Sequence, residues 1–147
     1  MWPETRKKVE IELEFLHRLL EDHRDLLGPR KGSPDSTTLL AIAALIHSFY
    51  TGIENVFKRI SLEVDGSVPT GPRSHTDLLV LMEQPTRARP AVISESLGLR
   101  LGEYLSFRHV FRTAYSFQLD WAKMAGPVSQ CRETLQQLEA ELVLFFG

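Results

Sequence analysis

Val128-Ser-Gln-Cys-Arg-Glu-Thr-Leu-Gln-Gln-Leu-Glu-Ala-Glu-Leu-Val-Leu-Phe145 is the stretch that decides the structural class of this chain. Val128, Cys131, Leu135, Leu138, Leu142 and Phe145 recur by threes and fours, which gathers them into one apolar stripe on a helix. A stripe of that width is buried by packing against other helices, as in a coiled coil or bundle.

The same spacing recurs at three places upstream. Val9, Leu13, Leu16, Leu20, His23 and Leu27 predict a first helix that starts at Pro3 and stops at Gly28-Pro29. Ile42, Ile46, Phe49, Ile53, Val56 and Ile60 predict a second, capped by Asp35 or Ser36 and running to about Val64, where Asp65-Gly66 ends it. A third starts near Ser94 or Ser96 and continues to about Phe117, with Asp120 available to cap the last. Residues 65–76 hold two glycines, two prolines and no periodicity, so they are the longest connection and the segment expected to move most. A short helix follows over about Asp77 to Gln84 before Pro85 and Pro90 break the chain. No segment alternates as a strand would. The expected fold is all-α: one domain over residues 1–147, an antiparallel up-and-down four-helix bundle with the short helix across one end.

Composition excludes several function classes. With 147 residues, 43% hydrophobic and 24% charged, the chain has the make-up of an ordinary globular domain. No apolar run approaches the roughly 20 residues of a bilayer span, and the opening segment lacks the apolar core of a signal peptide. A cytoplasmic protein with no membrane partner is expected. A net charge of −2 argues against a surface covered in phosphate-binding residues, yet residues 87–112 carry five arginines against two acids. The single cysteine, Cys131, excludes an internal disulfide and a cysteine metal cluster within the chain, and a small apolar helix side chain is its expected role. No Gly-rich phosphate loop, serine nucleophile motif or Cys-X-X-Cys is present, so no cofactor or metal is expected.

The third helix breaks the apolar pattern. Arg108 occupies a seam that otherwise reads Leu97, Leu101, Tyr104, Phe111, Tyr115. A buried guanidinium costs several kcal/mol unless it is paired or faces a wet cleft, so a partner or a reaction explains it better than packing. At ~100° per residue, Phe107, Val110, Ala114 and Phe117 share one side, while Leu101, Tyr104, Arg108, Arg112 and Tyr115 share another. Two partly apolar sides fit a helix that packs in its own core with one and lines a homodimer cleft with the other. The alternative puts Leu101 and Tyr104 in the core and lets the arginines reach water along their stems.

Segments Arg89-Pro-Ala-Val-Ile-Ser94, Glu103-Tyr-Leu105, Phe107-Arg-His-Val-Phe-Arg-Thr-Ala-Tyr115 and Leu119-Asp120 together resemble the HepT-like branch of HEPN proteins over roughly residues 35–146. The resemblance implies a small helical domain that dimerises, and in active members a metal-independent ribonuclease toxin. It also implies a minimal nucleotidyltransferase antitoxin as partner, able to transfer AMP to a tyrosine of the toxin's motif. That motif is Arg, a polar residue, three variable positions, His, one variable position, Tyr. Arg108 matches the arginine, His109 the polar residue and Tyr115 the tyrosine, but the family's histidine position is Thr113. In such ribonucleases the arginine would grip the scissile phosphate while the histidine moves protons between the 2′-hydroxyl and the leaving 5′-oxygen. A threonine hydroxyl has no titration near neutral pH and cannot replace it.

The site implied by the resemblance therefore comprises Arg108, His109 and Tyr115 in catalysis, with Arg112, Thr113 and Tyr104 in binding. His109 points ~100° away from Arg108, so the two would meet across a dimer axis more readily than within one chain. Elsewhere, His17 and His23 are six apart and do not share a face, and His47 lies on the same side of the second helix as Glu54, where a helix-helix hydrogen bond explains both. His75, at the end of the long loop, is placed to cap the short helix or approach a cleft from outside. Two readings stay open: a toxin-antitoxin component that cleaves or binds RNA at an Arg108-centred homodimer cleft, and a non-catalytic helical partner of a nucleotidyltransferase using the same face.

Overall fold

A computed structural model of the chain describes residues 1–113, 115 and 118–147, with Thr113 described by its backbone alone. The elements are α1 (Pro3–Asp22), a 3-10 turn (Arg24–Leu26), α2 (Ser36–Ile60) with a wider π-helical turn continuing it (Ser61–Asp65), α3 (Ser74–Met82), α4 (Glu95–Thr113), α5 (Trp121–Ser129) and α6 (Cys131–Phe146). No strand occurs among the described residues.

Cross-helix pairs give the direction of each helix. Thr5 and Lys8, near the start of α1, bond Glu63 beyond the end of α2, while Leu16 meets Gly52, so α1 and α2 run antiparallel. Asp65, beyond the end of α2, grips Arg89 before α4, whereas His47, half-way back along α2, packs on Phe111 near the end of α4. Ser94 bonds Glu141 and Tyr104 bonds Pro127, so α4 opposes the α5–α6 rod. Trp2 stacks on Phe145 and His17 pairs with Glu139, which closes the ring by laying α6 against α1. The result is an antiparallel four-helix bundle, with α3 packed on α2 and α4.

The core is centred on α2. Ile42, Ile46, Phe49, Ile53, Val56, Phe57 and Ile60 are all 0% exposed, and each such side chain contributes about 1.5–3 kcal/mol of transfer free energy. Asp35 caps the helix as its position suggested, its Oδ1 accepting from the Thr38 N–H at 2.8 Å. Ser36–Asp65 is in fact long and apolar enough to cross a membrane by length and composition, contrary to the sequence expectation. Its apolar stripe faces the other helices as the bundle's core.

Three boundaries differ from expectation, each for a local reason. α1 ends at Asp22, because the His23 ring donates from Nδ1 to the Leu19 carbonyl at 2.9 Å and competes with the backbone ladder. Leu26 and Leu27 still pack on the core from the 3-10 turn. The last helix divides at Gln130, three residues after Pro127, which supplies no N–H to the ladder. Beyond the break the inward seat falls on Phe146 rather than Phe145, since 3.6 residues per turn drifts from strict heptad spacing. α3 begins at Ser74, three residues early, after a turn at Gly71 whose φ is +97°. The expected run of α4 to Phe117 lies outside the described residues.

One buried ion pair ties the connection between α3 and α4 to the end of α2. Arg89, its side chain 0% exposed, donates to Asp65 at 2.8 Å and to the carbonyls of Gln84, Pro90 and Leu81. Arg89→Ala would strand the Asp65 carboxylate, and a loss of about 3–5 kcal/mol in urea denaturation is expected. At Gly52 an added Cβ would sit 2.4 Å from Leu16 Cδ2, itself buried. Gly52→Ala should therefore cost about 1–2 kcal/mol in the same measurement, overpacking outweighing the better helix propensity.

Candidate functional site

Glu54 is the charged seat in the buried stretch of α2, 3% exposed between Ile53 and Val56. A lone carboxylate there would cost several kcal/mol, and two neighbouring helices supply its partners. From α3, His75 Nδ1 lies 2.8 Å from Glu54 Oε2. From α4, Arg108 Nε lies 3.9 Å from Glu54 Oε1, an ion pair too long for a hydrogen bond. The Arg108 Nε is buried and has no hydrogen-bond partner among the described residues. Its guanidinium is thus held by attraction while part of its donor capacity stays uncommitted.

Two further α2 side chains face this cluster. Tyr50, one turn before Glu54, keeps a buried hydroxyl with no hydrogen-bond partner among the described residues. Burial pushes that hydroxyl well above the ordinary tyrosine range, the Glu54 charge adds to the effect, and Arg108 opposes it. His47 packs its ring 5.3 Å from Phe111. Desolvation first, then the charges of Arg108 and Arg112, hold its imidazole below the ordinary value, with Glu54 pulling the other way. Two groups on α2 thus report positive potential at the end of α4.

The residues named from sequence separate into three groups. Arg108 is turned inward with 16% of its side chain exposed, while His109 and Arg112 are exposed on the outside of the same helix. Tyr115 is 71% exposed, and its backbone N–H donates to Gln118 Oε1. The side chain of Thr113 lies outside the described residues, as do Ala114 and Phe117.

Tyr104 corrects the expectation that it shares a binding face with the arginines. It is 0% exposed and its hydroxyl donates to the Pro127 carbonyl at 2.6 Å. The reason is that α4 is packed on one side by α2 and α3 and on another by α5 and α6, so Leu101 and Tyr104 both fall in the core. Cys131 sits against the same hydroxyl, and burial pushes its thiol up to about 12. Arg89 likewise leaves the basic patch, being the buried structural arginine already described. Arg100 faces Glu133.

Glu54 and His75 were not read from the sequence as partners of Arg108. The signal available was Glu54 itself, a carboxylate in an apolar stretch, which demands a balancing cation somewhere in the fold. Its helix-helix hydrogen bond goes to His75 of α3, while His47 Nδ1, on the same side of α2, is buried with no hydrogen-bond partner among the described residues. Among the described residues no three His, Cys, Asp or Glu converge as a metal site requires.

A family model described as HepT-like protein matches residues 41–146, which spans α2 onward and takes in Glu54, His75, Arg108, Arg112 and Tyr115. The chain belongs to the HepT-like family. No individual curated protein and no solved structure matches it. In this HepT-like chain, groups from α2 and α3 surround Arg108, the residue that the sequence resemblance sets against the motif arginine.

The lowered imidazole of His47 has a consequence for stability. Below about 6.5 the unfolded chain takes up a proton that the folded His47 resists, so folding free energy should decrease as pH falls through that range. His47→Gln should flatten this part of the pH dependence in denaturant titrations at neutral and mildly acidic pH.

Proposed function

We propose that this HepT-like chain is the helical component of a toxin-antitoxin pair and engages RNA through a cationic site centred on Arg108, in a cleft completed by a second copy of the chain. The observation that carries the reading is the state of Arg108: 16% exposed, in a long ion pair with Glu54, and with a buried Nε lacking a hydrogen-bond partner among the described residues. An arginine kept for packing would have its donors satisfied, as Arg89 does. One held beside a carboxylate with donors to spare is set to accept an anion, and a planar fork suits a phosphate. Arg112, exposed one turn along, adds a second cation for the RNA backbone. Position 113, threonine instead of histidine, means that the family's usual proton carrier is absent from its usual place.

A second role for the same end of α4 is supported by the exposure of Tyr115, 71%. A minimal nucleotidyltransferase partner would transfer AMP from ATP to that hydroxyl, releasing pyrophosphate and masking the cationic site with an added phosphate. A side chain this exposed is within reach of another enzyme's active site.

Arg108→Lys keeps a charge over Glu54 and removes the fork. It should weaken binding of single-stranded RNA by about 10-fold or more, the scale of a lost charge-assisted hydrogen bond, with thermal stability near that of the parent. Equal RNA affinity in fluorescence anisotropy would count against the site. With the partner enzyme and ATP, intact mass should rise by one AMP, and Tyr115→Phe should abolish the increase.

A further inference from the structure

Glu54, His75 and Arg108 come from three helices and share one buried carboxylate, His75 on Oε2 and Arg108 on Oε1. We infer that His75 is the proton carrier of this site and does the work that Thr113 cannot. This rests on the reading of the Arg108 site as one that holds RNA phosphate.

The tautomer of His75 follows from its partner. An ionised carboxylate only accepts, so the hydrogen of the 2.8 Å bond is on Nδ1, and in the neutral ring Nε2 carries the lone pair. Glu54 is 3% exposed on the central helix and cannot wander, so it fixes the orientation of the ring as well as its tautomer. His75 itself keeps 28% of its side chain open, enough for a substrate to reach it. Tying the imidazole and the guanidinium to opposite oxygens of one acid sets their spacing without help from a second chain.

The other histidines near the arginine are worse placed. His47 has its Nδ1 buried and its imidazole held below the ordinary value by desolvation and by Arg108 and Arg112. His109 is exposed on the outside of α4, away from the inward-turned Arg108. His75 combines a carboxylate-fixed ring with an open surface.

With a phosphodiester held by Arg108, His75 Nε2 accepts the proton of the adjacent 2′-hydroxyl as O2′ bonds to phosphorus. The P–O5′ bond breaks, the leaving oxygen takes a proton from water, and the imidazolium returns its proton to the hydroxide formed. The products are a 2′,3′-cyclic phosphate and a 5′-hydroxyl, with no net proton change and no metal ion needed.

The test measures cleavage and binding in parallel on the full chain with a labelled single-stranded RNA. His75→Ala should cut at least ~100-fold more slowly, the usual scale of acid-base catalysis, while RNA affinity stays within about twofold of the parent and added imidazole recovers part of the rate. His75→Gln can still donate to Glu54 and should fold like the parent yet show the same loss of cleavage. Parent-like cleavage by either variant overturns the assignment, as does a loss of affinity that matches the loss of rate. A parent protein that binds RNA in an Arg108-dependent way and leaves it intact also overturns the role of His75, while the binding site stands. A parent that neither binds nor cuts RNA overturns both.

Discussion

A carboxylate inside the central helix is the constraint around which this end of the bundle is arranged. Glu54 is 3% exposed on α2, and an uncompensated charge at that depth would remove much of the stability that a domain of this size has. Lys58, one turn along on the same helix, is exposed, and the ion pairs of Glu54 come from outside α2. They are made with His75 at the start of α3 and Arg108 near the end of α4, so the positions of both helices are linked to one acid. What begins as an electrostatic requirement of the core also brings together a planar cation and an imidazole in the HepT-like fold.

The two inward-turned arginines show how the same residue type serves opposite ends. Arg89 reaches Asp65 and the carbonyls of three residues, with no side-chain surface left to solvent. Its donors are spent on holding the connection between α3 and α4 against the end of α2. Arg108 has a longer ion pair, some exposure and an Nε with no hydrogen-bond partner among the described residues. Satisfaction of the donors, more than depth of burial, separates the arginine that builds the fold from the one that can take a ligand.

The helices were legible in the sequence because apolar spacing and caps are local signals: the α2 stripe, Asp35 at its start and Asp120 before α5 all lie where the pattern puts them. The break at Gln130 was less so, because the even register of Val128, Cys131 and Leu135 masks the effect of Pro127 three residues earlier. The oddity of Arg108 was visible as one charge in an apolar seam. Its partners were not, since pairing Arg108 with an acid 54 residues upstream and a histidine 33 residues upstream depends on tertiary packing. Tyr104 misled for a related reason. Angle around a single helix cannot tell which apolar positions meet the core, and α4 buries Leu101 and Tyr104 as well as Phe107.

The central claim is that Arg108 anchors a phosphate. The most direct measurement is a crystal structure of the protein with a short RNA whose 2′-oxygens are methylated, so that it binds without being cut. A backbone phosphate is expected in the fork of Arg108, with the His75 ring facing the neighbouring 2′-oxygen. RNA bound elsewhere on the surface, with Arg108 still directed at Glu54 and no phosphate against it, would contradict the account.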